Sequence, residues 1–142
     1  MMIDFVNLLY PADGDSTTVF FNQLAQNLFI GLAYLYRDLA LTEKGQEFLN
    51  ENELFLEWSM CGLLNLSAGF SLSIPNEEEE EEDTKISGLD ETFEYLEHLE
   101  LVSKGTKEKL ESYFSIDSQN TKSGVMSSFN APLMIYRNQP IT

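Results

Sequence analysis

The feature that most constrains the fold is an apolar pattern with helical spacing that begins at Val19 and runs to about residue 40. Large apolar side chains recur every three or four residues, the interval at which positions share one face of an α-helix. They are Phe20, Leu24, Leu28, Leu32, Leu35 and Leu39. The second half of the segment is apolar nearly all round. A helix without a polar face is buried on every side, so the pattern predicts a helix through the centre of a bundle.

A second segment of the same character, LFLEWSMCGLLNL, runs from Leu54 to Leu66. Its apolar residues cover most of a helix circumference, which predicts a second central helix with Trp58 in the core. Shorter helices are predicted after Thr42, from Leu89 to Leu99, over KEKLESYF and in the last third of the chain. In that last third, Pro132 is expected to kink or restart the helix because it lacks a backbone donor.

The remaining segments carry weaker patterns. The first ten residues are interpreted as an extended entry, and SAGFSLSI, residues 67–74, as a frayed end or a loop. Within one domain spanning residues 1–142, the sequence therefore predicts an all-α fold. It is a compact bundle of about five to seven helices, with two central apolar helices, an acidic loop and no convincing sheet.

Negative charge dominates the surface. The 142 residues carry 24 acidic and 8 basic side chains, for a net charge of −16. Acids also cluster against Lys44 at five positions: Glu43, Glu47, Glu51, Glu53 and Glu57. Such a surface repels the phosphates of nucleic acid and of anionic membranes, and it attracts a partner with a basic surface.

Seven acids stand in one run after Pro75. They are Glu77, Glu78, Glu79, Glu80, Glu81, Glu82 and Asp83. Two interpretations stay open: a solvated spacer between two helical halves, or an electrostatic docking element for a basic partner. A calcium site is disfavoured because the spaced D-x-D-x-D-G pattern of an EF-hand is missing. We treat the seven residues as candidate partner-binding residues in an acidic loop, expected to be disordered, over residues 75–88.

Residues able to perform chemistry are scarce. His98 is the only histidine, and Cys61 is the only cysteine and has no positive neighbour to activate its thiol. The sequence contains no GxxxxGK[ST], CxxC or HExxH motif. We therefore expect no catalytic residue, no metal site and no cofactor-binding site in this chain. His98 is interpreted as a polar residue at a helix edge and Cys61 as a small core residue.

Two segments resemble a known family when they are taken together. YPADGDSTTVFFNQLAQNLFIGLAYLY and TKSGVMSSFNAPLMIYRNQPIT are similar to the two flanks of the all-alpha domain in the TraG/TraD-like coupling ATPases of type IV secretion systems. The matching positions are Phe21, Ala25 and Leu28 to Tyr36 at one end and Thr121, Ser127, Leu133 and Tyr136 at the other. The family has a tryptophan where Phe21 stands. The resemblance covers the two ends and points to effector-translocating, Cag-type members.

The resemblance implies a domain inserted in a larger ATPase. The Walker motifs, the bound ATP and Mg²⁺ and the membrane helices would all lie in the parent, so this fragment would be a soluble monomer without an enzyme activity of its own. The parent would be hexameric and anchored in the bacterial inner membrane. The domain would face the cytoplasm and recognise a secreted protein substrate or its adaptor, with both of its ends on one side.

Two alternatives remain beside this one. A free-standing acidic helical adaptor or secretion chaperone would bind similar partners, but its ends need not meet. An enzyme would need paired carboxylates such as Glu91 with Glu94 or Glu43 with Glu47. Acids at this spacing usually form a solvated helix face, which makes the enzyme the weaker alternative.

The charge predicts that the isolated chain does not bind duplex DNA at physiological salt. Non-specific affinity comes from the neutralisation of phosphates by basic side chains, which a chain at −16 does not supply. Fluorescence anisotropy of a labelled duplex over a salt series measures this. Salt-sensitive binding by the isolated chain would contradict the prediction.

Overall fold

The computed structural model describes residues 2–11, 14–74 and 84–135, and it shows the predicted all-α bundle with one small hairpin added. The elements are α1 (Met2–Leu9), α2 (Ser16–Ala40), α3 (Glu43–Glu51), α4 (Met60–Ser67), β1 (Leu72–Ile74), β2 (Thr84–Ile86), α5 (Gly88–His98), α6 (Lys104–Phe114) and α7 (Gln119–Ile135). None of the helices in the described residues is long and apolar enough to cross a membrane.

The 25-residue α2 is the central helix that the apolar pattern predicted. Asp15 caps its start, because the Asp15 carboxylate accepts a hydrogen bond from the Thr18 backbone N–H at 2.8 Å. It packs most extensively against α6 and next against α7. A Cβ added at Gly31 would lie 2.5 Å from a methyl carbon of Leu110, so the missing side chain lets α6 approach closely. The prediction for this helix is confirmed.

The second central helix is much shorter than the sequence predicted. After α3, the backbone N–H of Leu54 donates to the carbonyl of Leu49 at 2.8 Å, and Glu53 takes a left-handed φ of 55°. These features form the turn that ends many helices. The next helix starts only after Ser59, whose hydroxyl accepts a hydrogen bond from the Gly62 N–H at 2.9 Å. Local capping overrides the apolar pattern here, so Trp58 precedes α4 and is only partly buried.

Two other predictions about local structure were wrong. Met2–Leu9 form helix α1 where an extended entry was expected over the first ten residues, because Val6 and Tyr10 bury their side chains at helical spacing. The predicted loop at SAGFSLSI contains β1, which pairs antiparallel with β2 so that Leu72 faces Ile86. Both of these side chains are buried, and the hairpin covers part of the core.

The acidic segment is only partly described. Of the predicted loop at 75–88, Thr84–Ile86 form β2 and Gly88 begins α5. Residues 75–83, which include Glu77 to Asp83, lie outside the described residues. At the other end, α7 continues through Pro132 to Ile135, and no new helix starts at the proline.

A buried carboxylate ties the end of α2 to the start of α6. One oxygen of Asp38 accepts hydrogen bonds from the Ser103 N–H at 2.9 Å and from the Thr106 hydroxyl at 2.6 Å. Asp38 and Thr106 are both buried. Hydrogen bonds to a charged acceptor are stronger than neutral ones, so this network holds the end of α2 against the start of α6.

The segment just after α1 also contacts α7, the last helix in the described residues. The Tyr10 hydroxyl donates to the carbonyl of Phe129 at 2.7 Å, and the two rings lie nearly parallel with centroids 6.4 Å apart. Both residues are fully buried. Burial raises the pKa of the Tyr10 phenol far above its ordinary value because the phenolate would lose its hydration.

We expect Leu32→Ala to lower the free energy of unfolding by about 2–5 kcal/mol, since Leu32 is fully buried in the central helix and the change leaves a cavity. Glu94→Ala, on the exposed face of α5, should change it by less than about 0.5 kcal/mol. Urea denaturation followed by circular dichroism measures both values. Equal losses for the two variants would show that the core is assigned wrongly.

Tyr10 predicts a loss of stability at alkaline pH. Its folded-state pKa is raised above the unfolded value of about 10, so its contribution is complete below about pH 10 and is lost as the pH rises towards the folded-state value. Tyr10→Phe should lower stability at neutral pH by about 0.5–1.5 kcal/mol through the lost hydrogen bond. The variant should then lose less further stability than wild type between about pH 9 and pH 11. Parallel pH dependences in urea denaturation would contradict this assignment.

Candidate functional site

An open apolar groove lies beside the last turns of α2 and the non-helical segment between α3 and α4. Its volume is about 390 Å³. It is lined by Ala33, Tyr36, Arg37, Leu41 and Trp58, and we call it the aromatic groove. The helical spacing of Ala33, Tyr36 and Arg37 places them on one side of α2, and Trp58 faces them from the other segment.

Two aromatic rings form the wall of the aromatic groove. The rings of Tyr36 and Trp58 lie 5.1 Å apart between centroids, with 43° between their planes. Both side chains also pack against the core, which holds them in place. Leu41, at the end of α2, leaves 71% of its surface exposed. In the same segment as Trp58, Phe55 is 86% exposed. Exposed apolar side chains grouped around a groove are typical of a protein-binding surface.

Arg37 is the charged residue in the lining, and its charge is compensated locally. Its guanidinium carbon lies 4.7 Å from the centre of the Tyr34 ring. Its Nε atom lies 3.7 Å from a carboxylate oxygen of Asp38, and an Nη atom donates to the Ser103 hydroxyl at 3.5 Å. The cation is therefore held by neighbours on its own side of the groove.

The segment that carries Trp58 and the helix before it, α3, are acidic. Five exposed glutamates lie in α3 and the segment that follows it: Glu43, Glu47, Glu51, Glu53 and Glu57. In the described part of the chain, none of them is in a salt bridge. Lys44, the cation among them, lies 3.9 Å from Glu100. The Glu57 carboxylate accepts a hydrogen bond from the Ser59 hydroxyl at 3.0 Å, which holds it beside Trp58.

A second pocket, between α5 and α6, is also acidic. Its volume is about 390 Å³, and its lining consists of Asp90, Phe93, Glu94, Glu97, Lys107, Glu111 and Phe114. The Phe93 and Phe114 rings stack with centroids 4.5 Å apart. Lys107 lies 2.6 Å from Glu97, and this hydrogen bond and charge raise the pKa of the lysine. The lysine thus neutralises part of the acid in this pocket.

The structure separates the few residues that sequence analysis considered for chemistry. His98 is exposed at the end of α5, whereas the half-buried Cys61 has the Asn65 amide nitrogen 3.8 Å from its sulfur. Glu91 accepts a hydrogen bond from the Ser87 N–H at 2.9 Å and so caps the start of α5. Within 2–11, 14–74 and 84–135, no group of three or more His, Cys, Asp or Glu side chains is placed to hold a metal ion.

The aromatic groove was not predicted from the sequence, which placed Trp58 in the core. Leu54 to Trp58, LFLEW, carries no clear signal of it, because Phe55 is apolar like its neighbours and only Glu57 interrupts the apolar run. In the structure, burial alternates along this segment, with Phe55 and Glu57 exposed. The candidate docking residues Glu77 to Asp83 lie outside the described residues, so their relation to the groove stays a prediction.

No protein-family model matches the chain, and no curated protein is significantly similar to it. A functional proposal therefore rests on the groove, on the charge around it and on the resemblance of the two ends of the chain to the coupling ATPases.

Proposed function

We propose that this chain is a recognition domain that binds protein segments with a basic surface. More specifically, we propose that the chain receives a secreted protein substrate, or its adaptor, for a type IV secretion coupling ATPase at the cytoplasmic face of the inner membrane. The observation that carries the binding function is the aromatic groove, an open apolar surface one wall of which belongs to a segment with exposed glutamates that are in no salt bridge within the described residues. Apolar contact supplies affinity, and the acids select and steer a basic partner.

The contact between the segment just after α1 and the last helix supports the link to the coupling ATPases. An inserted domain has to enter and leave its parent on one side. Tyr10, just after α1, contacts Phe129 of α7 through a hydrogen bond and ring stacking. A free-standing adaptor or secretion chaperone would use the same groove, but its function does not require this contact.

The proposal assigns no catalysis to this chain. In the coupling ATPases, ATP and Mg²⁺ bind to Walker motifs outside the all-alpha domain, and the chain itself has no GxxxxGK[ST] sequence. Hydrolysis would therefore be performed by the parent, and this domain would select what the parent moves.

We expect secreted proteins or their adaptors to cross-link to the groove in the cell. A photo-cross-linking amino acid in place of Leu41, which lines the groove and is 71% exposed, should trap them, and mass spectrometry should identify them. The same amino acid in place of Glu108, exposed on α6, should trap far less. Equal trapping at both positions, or trapping of proteins that are never secreted, would overturn the proposal.

The coding sequence around the chain distinguishes a domain inserted in a coupling ATPase from a free-standing adaptor or chaperone. An inserted domain predicts Walker A and Walker B motifs in the same reading frame. Cross-linked cargo together with a reading frame that lacks these motifs would replace the ATPase domain by the free-standing adaptor or chaperone.

A further inference from the structure

We infer that the aromatic groove takes one bulky apolar side chain of its partner, and that Glu53 and Glu57, which are exposed on the segment that carries Trp58, bind lysines or arginines of the same partner. The inference rests on the proposed function and specifies the chemistry of the partner at this site. The occupant is a basic amphipathic protein segment with a leucine, methionine or phenylalanine as its anchor.

The apolar part follows from the lining. Four of the five lining residues present carbon surface, and the volume of about 390 Å³ lies in the lower part of the range for ligand pockets, about 300–1,000 Å³. Tyrosine and tryptophan dominate the binding energy of many protein interfaces because they bury a large area with little loss of freedom. Tyr36 and Trp58 are already held by their contact with each other and with the core.

The basic part follows from the segment that carries Trp58. Glu53 and Glu57 are exposed on this segment and are not in a salt bridge within the described residues. The C-terminal ends of α2 and α3 lie next to Leu41 and Glu53 in the chain, and a helix C-terminus carries a partial negative charge. Both contributions favour cations beside the apolar anchor.

Charge also argues against other occupants. A second copy of the chain would bring another net charge of −16 to an acidic surface. An anionic membrane would be repelled for the same reason. A segment with apolar and basic side chains satisfies both the groove and its surroundings.

The test uses Trp58 as a reporter, since it is the only tryptophan in the chain. The probe is a synthetic peptide without tryptophan, rich in lysine and arginine, with one central leucine. We expect saturable binding that shifts the Trp58 emission to shorter wavelength as water is excluded from the ring. Replacing the central leucine of the peptide by alanine should weaken binding about tenfold or more. Replacing its lysines and arginines by glutamates should abolish binding.

Two glutamates offer a matched pair of protein variants. Glu53 and Glu100 both follow a helix end with positive φ, 55° and 59°, a conformation that glycine adopts without strain. Glu53→Gly and Glu100→Gly, both made in a Lys44→Ala background because Lys44 lies 3.9 Å from Glu100, each remove one negative charge at an equivalent backbone position. We expect only Glu53→Gly to slow association of the basic peptide, with the difference shrinking as salt rises. Leu41→Ala, at a 71% exposed position, should speed dissociation while leaving the fold intact by circular dichroism.

Any one of three results with the peptide would overturn the inference. The first is no change in Trp58 emission at millimolar peptide with the fold intact. The second is equal binding of basic and acidic peptides, and the third is equal effects of Glu53→Gly and Glu100→Gly. A Trp58 shift that depends on protein concentration without peptide, together with a dimer in light scattering, would make a second copy the occupant and overturn it as well. Failure here with selective cross-linking of cargo at position 41 would leave the proposed function standing with another binding mode. Peptide binding without cargo cross-linking would overturn the proposed role in secretion and keep the inference.

Discussion

The burial of one broad face of the second half of α2 is the constraint on which the rest of the structure depends. Leu28, Leu32, Leu35 and Leu39 all lie in the core, so the bundle must supply apolar neighbours around most of this helix. α6 and α7 provide most of them, and Gly31 allows α6 to approach closely. The Asp38 network then fixes the end of the helix against α6. Tyr36, Arg37 and Leu41, which line the aromatic groove, are placed by this same anchored end.

Sequence periodicity predicted this constraint and the fold class, because a strong 3.6-residue pattern over 20 positions has few other solutions. It failed where local capping decides. LFLEWSMCGLLNL has the composition of a buried helix, but the left-handed turn at Glu53 and the hydroxyl of Ser59 delay the helix until Met60. Capping can be anticipated from a serine at the right place, yet the positive φ of a glutamate carries no sequence signal, since glycine is the usual residue there. The short hairpin was missed although Phe70 to Ile74 alternate apolar residues with serines, because five positions beside a glycine are too few to separate a strand from a loop.

The functional surface was predictable in its charge and not in its shape. Net charge and the cluster of glutamates around Lys44 are read directly from the sequence and predict a basic partner. The exposure of Trp58 depends on which sides of its ring the fold covers. That in turn depends on the contact between Trp58 and Tyr36 of α2, which are more than 20 positions apart in the chain. The structure shows both at once, because the ring packs on Tyr36 with one part and lines an open groove with another.

The groove and the acids near it arise from the same break in the helix. Had α4 begun at Leu54, as the apolar pattern predicted, Leu54 to Trp58 would have formed a turn of α-helix, with Glu57 and Trp58 at successive positions around its axis. The non-helical segment instead alternates its side chains, so that Leu54, Leu56 and Trp58 turn towards the core while Phe55 and Glu57 stay exposed. The non-helical segment therefore keeps the Glu57 carboxylate in solvent while the neighbouring Trp58 packs on Tyr36. Ser59 contributes to both features, since its hydroxyl accepts the hydrogen bond that starts α4 and donates one to Glu57.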